Sequence, residues 1–224
     1  MPSRLIDAAF RSSKTGQCYM FVKENCLVLD YNSKEIAEGP THISQWIPIL
    51  AKTAFAKVID CAFDTEGNEA FIFSGKLCAK INYTPDSLKA KIIPSSVPIN
   101  VMFPYLTETP FEDGIDAAIR SRWNQVILFR GDKYAIIDYK TEQLIVHQSI
   151  AHGFGSLVGT VFEHGIDAAF SMYGDEACIF KGKYYARIRY APFRDDSDYI
   201  SNSRIKLIKK DWTFLDELLE EDEI

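Results

Sequence analysis

The chain has 224 residues, of which 47% are hydrophobic and 25% charged, and its formal net charge is −6. This composition excludes a disordered chain, and an acidic balance without a run rich in Lys and Arg argues against a nucleic-acid binder. No apolar run is long enough to span a membrane and no secretory signal peptide precedes residue 6, so we expect a cytosolic protein.

A short apolar pattern, Ile-Asp-x-Ala followed by Phe or Ile, occurs four times in the chain. The copies lie roughly fifty residues apart, a period typical of β-propeller blades rather than of helical repeats. The copies begin at Ile6, Ile59, Ile115 and Ile166.

Each copy continues in the same order. A polar turn leads into a second apolar strand that ends in Phe, and a tight turn leads into a third strand that alternates toward Tyr. A shorter fourth strand and a short amphipathic helix complete the unit. Four such units, each too small to bury its own faces, predict an all-β fold, a four-bladed β-propeller. The predicted blades cover about 4–52, 53–108, 109–159 and 160–219, and an acidic tail covers 220–224.

The first strand of each blade lines the axis of such a ring, and one of its edges has no strand to pair with. We therefore expect main-chain groups of the Asp and of the second Ala in each copy to form two rings around the axis. Carbonyl oxygens suit Ca²⁺ or Na⁺, and N–H groups suit Cl⁻. The candidate Ca²⁺ ligands are the main-chain oxygens of Asp7, Asp60, Asp116 and Asp167; the candidate Na⁺ and Cl⁻ ligands are main-chain atoms of Ala9, Ala62, Ala118 and Ala169.

Ligand type alone does not separate Ca²⁺ from Na⁺ in either ring. For the Asp carboxylates we favour a hydrogen bond to the adjacent blade over direct ligation of the metal. Carboxylates at one mouth of the tunnel could also receive the amines of a polyamine. The candidate residues for that ligand are Glu112, Glu163 and His164.

These repeated features recur in register from residue 4 to residue 219: the Ile-Asp-Ala-Ala-Phe strand, the Phe-x-Gly turn, the strand ending in Tyr and the Thr-x-Phe connector. In them the chain resembles the hemopexin-like repeat family, and within it the seed albumins of legumes. The resemblance implies a central tunnel that holds Ca²⁺, Na⁺ and Cl⁻ through main-chain atoms. It also implies a cytosolic, dimer-forming seed protein, similar to members that bind spermine and haem.

The chain departs from animal members of this family because it lacks the cysteine pair that joins the first and last blades, so ring closure must depend on packing and hydrogen bonds. The prediction of haem binding rests on the resemblance alone, because the four histidines share no repeated position. They are His42, His147, His152 and His164. No catalytic motif is present, which favours a non-enzymatic binding protein. The alternative is a seed storage or protein-interaction role in which the tunnel ions are purely structural.

Overall fold

The computed structural model describes residues 4–85, 87–92, 96–190, 199–200, 205–215 and 218. These residues form four antiparallel sheets in which successive strands pair as neighbours. The first sheet consists of β1 (Ala8–Arg11), β2 (Gln17–Val22), β3 (Asn25–Asp30) and β4 (Glu35–His42). The second consists of β5 (Cys61–Asp64), β6 (Glu69–Ser74), β7 (Leu77–Tyr83) and β8 (Ala90–Ile92), and β9 (Val97–Pro98) also pairs with β7.

The other two sheets follow the same order. The third consists of β10 (Ala117–Arg120), β11 (Gln125–Arg130), β12 (Lys133–Asp138) and β13 (Gln143–Ser149). The fourth consists of β14 (Ala168–Ser171), β15 (Glu176–Lys181), β16 (Tyr184–Arg189) and β17 (Tyr199–Ile200), and β18 (Lys206–Leu207) also pairs with β16. The innermost strands contact one another in a closed cycle, β1 with β5 and β14, and β10 with β5 and β14. The predicted four-bladed propeller is confirmed.

A helix of one turn follows each sheet, as the amphipathic pattern predicts. The helices are α1 (Ile43–Trp46), α2 (Ile99–Met102), α3 (Ile150–Gly153) and α4 (Ile208–Asp211). Turns of 3₁₀ helix lie at Pro48–Leu50, Ala54–Ala56, Pro104–Leu106, Pro110–Asp113 and Gly155–Leu157. Pro48 and Pro104 end the first two helices because proline has no N–H with which to continue the α-helical ladder.

The sequence prediction was wrong at two kinds of strand boundary. Each innermost strand begins after the repeated Asp rather than before it. The fourth strand was predicted to be short, but β4 and β13 are the longest strands of their sheets. Bulges in the pairing of β4 with β3 accommodate Gly39 and Pro40 and allow β4 to continue to His42. The blade limits remain a prediction, and the proposed tail at 220–224 lies outside the described residues.

The hydrophobic core lies between neighbouring blades as four clusters, one at each interface. All five cysteines are buried free thiols within these clusters. The interface between the last and first blades joins Met20 and Leu29 of the first to Phe180 and Trp212 of the fourth. Packing of this kind therefore closes the ring without a disulfide.

Polar contacts at the same interface connect Lys34 of the first blade to the fourth blade. Its Nζ lies 3.0 Å from Asp211 Oδ2 and donates to the Tyr185 hydroxyl at 3.1 Å. The Tyr185 hydroxyl donates to Asp211 Oδ2 as well. This hydrogen bond is the main cause, with the Lys34 ammonium contributing, that lowers the pKa of Asp211 to about 2.

The Asp211 contacts predict an acid-dependent contribution to stability. Because the folded state lowers this pKa below its usual 3.8, Asp211 stabilises the fold above that value, and the contribution is lost as the pH falls through about 2. We expect Asp211→Asn to unfold at a lower urea concentration than the wild type at pH 6, and the two midpoints to converge as the pH is lowered from 5 to 2. A gap that stays constant with pH would contradict this assignment.

Candidate functional site

The start of each innermost strand carries a β-bulge, repeated in all four blades. In the first blade, Ala8 lies opposite Phe21 in the ladder, yet the N–H of Asp7 also donates to the Phe21 carbonyl at 3.0 Å. Two residues on one strand therefore oppose a single residue on the next. The same offset occurs where the N–H groups of Asp60, Asp116 and Asp167 donate to Phe73, Phe129 and Phe180, each at 2.8 Å.

The bulge determines where the main-chain groups point. The Ser12 N–H donates to the Gln17 carbonyl, so alternation along β1 directs the N–H of Ala8 toward β2 as well. A trans peptide places the Asp7 carbonyl opposite the Ala8 N–H, and hence on the side away from β2. The main-chain groups of Ala9 point to that same side, which is the tunnel. The equivalent hydrogen bonds of Thr65, Ser121 and Met172 give the other three blades this arrangement.

Each repeated Asp carboxylate accepts a hydrogen bond within its own blade, and no described residue of an adjacent blade donates one to it, so the expected hydrogen bond to the adjacent blade was wrong. Each Oδ2 accepts from a main-chain N–H in the hairpin turn between the second and third strands, two residues after the strand's Phe. The distances are 2.6 Å for Asp7 with Lys23, 2.6 Å for Asp60 with Gly75, 2.7 Å for Asp116 with Gly131 and 2.7 Å for Asp167 with Gly182. The side chains thus fix the turns that surround the tunnel mouth.

Cations neutralise only one half of this acidic ring. Asp116 Oδ1 accepts from Arg130 Nη1 at 2.7 Å, and Asp167 Oδ1 accepts from Lys181 Nζ at 2.7 Å. Arg130 and Lys181 each directly follow the Phe of the second strand in their blade. Val22 and Ser74 hold this position in the first and second blades, and neither is charged. Within the part of the chain that the structure describes, Asp7 and Asp60 form no ion pair. Burial raises the pKa of Asp7, although the hydrogen bond from the Lys23 N–H and the charge of Arg4 act in the opposite direction.

Arg4 reaches across the mouth from the beginning of the chain. Its Nη2 donates to Asp116 Oδ1 at 3.1 Å, and its Nε lies 3.8 Å from Asp167 Oδ1. Arg4 therefore adds a third cation to the half of the ring that Arg130 and Lys181 already neutralise. The sequence did not indicate this contact, because Arg4 and Asp116 are 112 residues apart in the chain.

The residues predicted to receive a polyamine lie on the connectors outside the ring. The Glu112 carboxylate accepts from the Glu108 N–H at 3.3 Å, and the Glu163 carboxylate accepts from the Gly159 N–H at 2.7 Å, so each one closes its own connector. His164 is exposed. Their role in ligand binding stays a prediction, and the structure does not bring the three side chains together at the carboxylate ring.

A cavity of about 640 Å³ lies beside the mouth next to Asp7. Glu24, His42, Lys23 and Lys57 also contribute to its wall. Among the described residues, no group of three or more His, Cys, Asp or Glu side chains is arranged to hold a metal ion. None of the described helices has the length and apolar character needed to cross a membrane.

Comparison with known proteins identifies the family, although no protein-family model matches the chain. Albumin-2 of Pisum sativum is 42% identical over 208 residues, covering 89% of this chain and 90% of the relative. Among solved structures, the hemopexin fold protein CP4 from cow pea has a TM-score of 0.90 and 40% identity, covering 96% of this chain and 99% of that one. A plant lectin with two metal binding sites from Cicer arietinum has a TM-score of 0.89 and 44% identity, covering 96% and 98%.

The match extends over nearly the whole length of both chains. It confirms the resemblance that the repeated strands and turns indicated. The chain belongs to the albumin-2 family, the seed albumins with a hemopexin fold.

Proposed function

We propose that this protein is a non-enzymatic, cytosolic seed albumin that binds ions in its central tunnel and organic cations at the acidic mouth. Ca²⁺ is assigned to the main-chain oxygens of Asp7, Asp60, Asp116 and Asp167. Na⁺ or Cl⁻ is assigned to the main-chain atoms of Ala9, Ala62, Ala118 and Ala169. The observation that carries the proposal is the fourfold bulge, which uses the Asp N–H in the sheet and leaves the Asp carbonyl on the tunnel side.

The chemistry of this ring fits a hard cation. Ca²⁺ takes six to eight oxygen ligands at about 2.3 to 2.6 Å, so four carbonyls and a few waters would complete its shell. The carboxylates are held by the turns, and they contribute negative charge near the ion without leaving those hydrogen bonds. The Cicer arietinum lectin with two metal binding sites supports the assignment by similarity.

Spermine is the organic ligand that we assign to the mouth. The carboxylates of Asp7 and Asp60 have no ion-pair partner among the described residues, whereas Asp116 and Asp167 are neutralised. An ammonium group gains most from a partly buried carboxylate that lacks another cation. We therefore place one amine of spermine beside Asp7 and Asp60.

Haem fits the described residues poorly within one chain. Among the described residues that line the 640 Å³ cavity, His42 is the only histidine, and Val58 and Leu218 are the only apolar side chains. A haem face needs wide apolar cover, which these two side chains do not supply. We therefore propose haem binding only for a homodimer, in which a second copy of the chain would provide the missing apolar wall.

Isothermal titration of protein freed of divalent ions with EDTA tests the function. We expect CaCl₂ to bind saturably at one ion per chain, and to stabilise the fold by about 2.7 kcal/mol at a hundredfold excess over its dissociation constant. Spermine titrated into the Ca²⁺-loaded protein should bind saturably, and Asp7→Asn should weaken it more than Glu112→Gln does. Absence of Ca²⁺ binding would overturn the tunnel assignment. Absence of spermine binding alone would favour the storage or interaction role, with structural ions.

A further inference from the structure

The opposite mouth of the tunnel carries a charged cluster that the repeat pattern did not indicate. The four innermost strands end at the same repeat position, but the residues there differ: Arg11, Asp64, Arg120 and Ser171. At roughly 3.3 Å per residue, this layer lies about 13 Å along the strands from the Asp ring. It is a separate site, and nothing in it depends on the ions proposed above.

Asp64 holds the two guanidinium groups together. Its Oδ2 accepts from Arg120 Nη1 at 3.0 Å and from Arg11 Nη2 at 3.3 Å, and only 6% of its side chain is exposed. Arg120 Nη1 also donates to the Thr65 carbonyl at 2.7 Å. One carboxylate thus faces two guanidinium groups, so the cluster keeps a surplus of one positive charge.

Arg120 retains an unused edge. Its hydrogen bonds to other described residues come only from Nη1, which leaves the Nε and Nη2 donors available. This edge of a guanidinium binds both oxygens of a carboxylate in parallel. The buried hydroxyl of Tyr139 has no hydrogen-bond partner among the described residues, although it lies near enough to Arg120 for the guanidinium to lower its pKa against the effect of burial.

A cavity of about 330 Å³ opens over this cluster. Arg11, Asp64 and Arg120 contribute to its wall together with Thr15, Glu66 and Tyr173. Its volume is within the range of small-molecule sites. The Tyr173 side chain is 82% exposed and forms one side of the cavity, where a ring can stack on it. Glu66 is paired with Lys140 at 2.5 Å, so it does not cancel the surplus charge of the cluster.

We propose that this mouth binds a ring-bearing monocarboxylate, an acidic monosaccharide of the hexuronate class. The carboxylate pairs with the Nε and Nη2 donors of Arg120, and Arg11 adds attraction. The sugar ring lies against Tyr173, and its hydroxyl groups face the polar wall at Thr15 and Glu66. A single negative charge matches the surplus of one, whereas a dianion such as phosphate would be repelled by Asp64.

Calorimetric titration with D-galacturonate tests this site, with D-galactose as the neutral control. We expect galacturonate to bind at one per chain and galactose at least tenfold more weakly, because the neutral sugar lacks the charged pair. Binding should persist in EDTA, which separates this site from the tunnel ions. Absence of saturable galacturonate binding, or equal affinity for the two sugars, would overturn the proposal.

Variants locate the ligand within the cavity. Arg120→Lys keeps the charge but removes the parallel donors, and we expect it to weaken galacturonate about tenfold or more. Tyr173→Ala should weaken it about fivefold through loss of stacking. Trp123→Ala is the matched control, because Trp123 is 83% exposed on the neighbouring hairpin turn and does not line the cavity. If Arg120→Lys does not fold, Tyr173→Ala and Trp123→Ala still test the site. Equal effects of these two variants on galacturonate affinity would overturn the proposal.

Discussion

Replacement of Trp212 by alanine is expected to lower the free energy of unfolding by about 3 to 5 kcal/mol, the usual effect of removing a large buried aromatic side chain. Trp212 follows α4 and is only 2% exposed. Its ring centre lies 5.7 Å from that of Phe180 and 5.9 Å from that of Tyr185. Because it belongs to the cluster that joins the last blade to the first, the cavity would open at the interface where the ring closes.

Two other variants separate the effect of packing from that of the indole. The same repeat position holds Phe103 in the second blade and Phe154 in the third, and the Trp212 indole N–H has no partner among the described residues. We therefore expect Trp212→Phe to cost only about 1 kcal/mol, since it removes an unpaired donor and leaves a small void. Trp123→Ala, at an exposed turn, should stay within about 0.5 kcal/mol of the wild type. Urea unfolding followed by circular dichroism measures all three, and a Trp212→Ala cost below that of Trp212→Phe would contradict the argument.

The blades could be predicted because their signals are local and occur four times. Alternation of apolar residues, turn residues at fixed offsets and a period near fifty residues all depend on neighbours in sequence. The Phe near the end of each second strand was therefore correctly placed in a buried strand, and the one-turn helices were found at the expected places. The Tyr that was predicted to end each third strand lies within it only at Tyr83, whereas Tyr31, Tyr139 and Tyr190 follow the last strand residue. The repeat also indicates a packing role for Cys26 and Cys78, because Tyr134 and Tyr185 fill the same position in the other two blades.

The details of both tunnel mouths could not be predicted, because they depend on contacts between distant residues. The segment Ile6 to Phe10 has the pattern of one continuous strand, so the bulge at Asp7 is invisible without the register against β2. The cluster of Arg11, Asp64 and Arg120 was missed for a different reason. Its members share a repeat position but differ in type, and a search for identical residues passes over such a set. The presence of opposite charges at one repeat position would have indicated this cluster.

Removal of the Asp167 carboxylate is expected to destabilise the fold by about 2 to 3 kcal/mol. The side chain is 8% exposed, and it accepts from the Gly182 N–H at 2.7 Å and from Lys181 Nζ at 2.7 Å. Asp167→Ala leaves a buried N–H without a partner and an ammonium without its counter-ion. The estimate stays below that for a fully buried pair, because 29% of the Lys181 side chain remains exposed and solvent screens it.

The repeat supplies the matched control, Asp60→Ala. Asp60 makes the same turn contact, with the Gly75 N–H at 2.6 Å, but Ser74 stands where the fourth blade has Lys181 and the hydrogen bond is exposed. Its removal should cost about 1 kcal/mol, as for an ordinary hydrogen bond. Urea midpoints measure both variants, and equal costs would contradict the role of the buried lysine pair. Both proteins should still bind one Ca²⁺ per chain, with lower affinity, because the proposed ligands are main-chain oxygens that survive the substitution. Loss of the ion from a folded Asp60→Ala protein would instead assign the metal to the side chain.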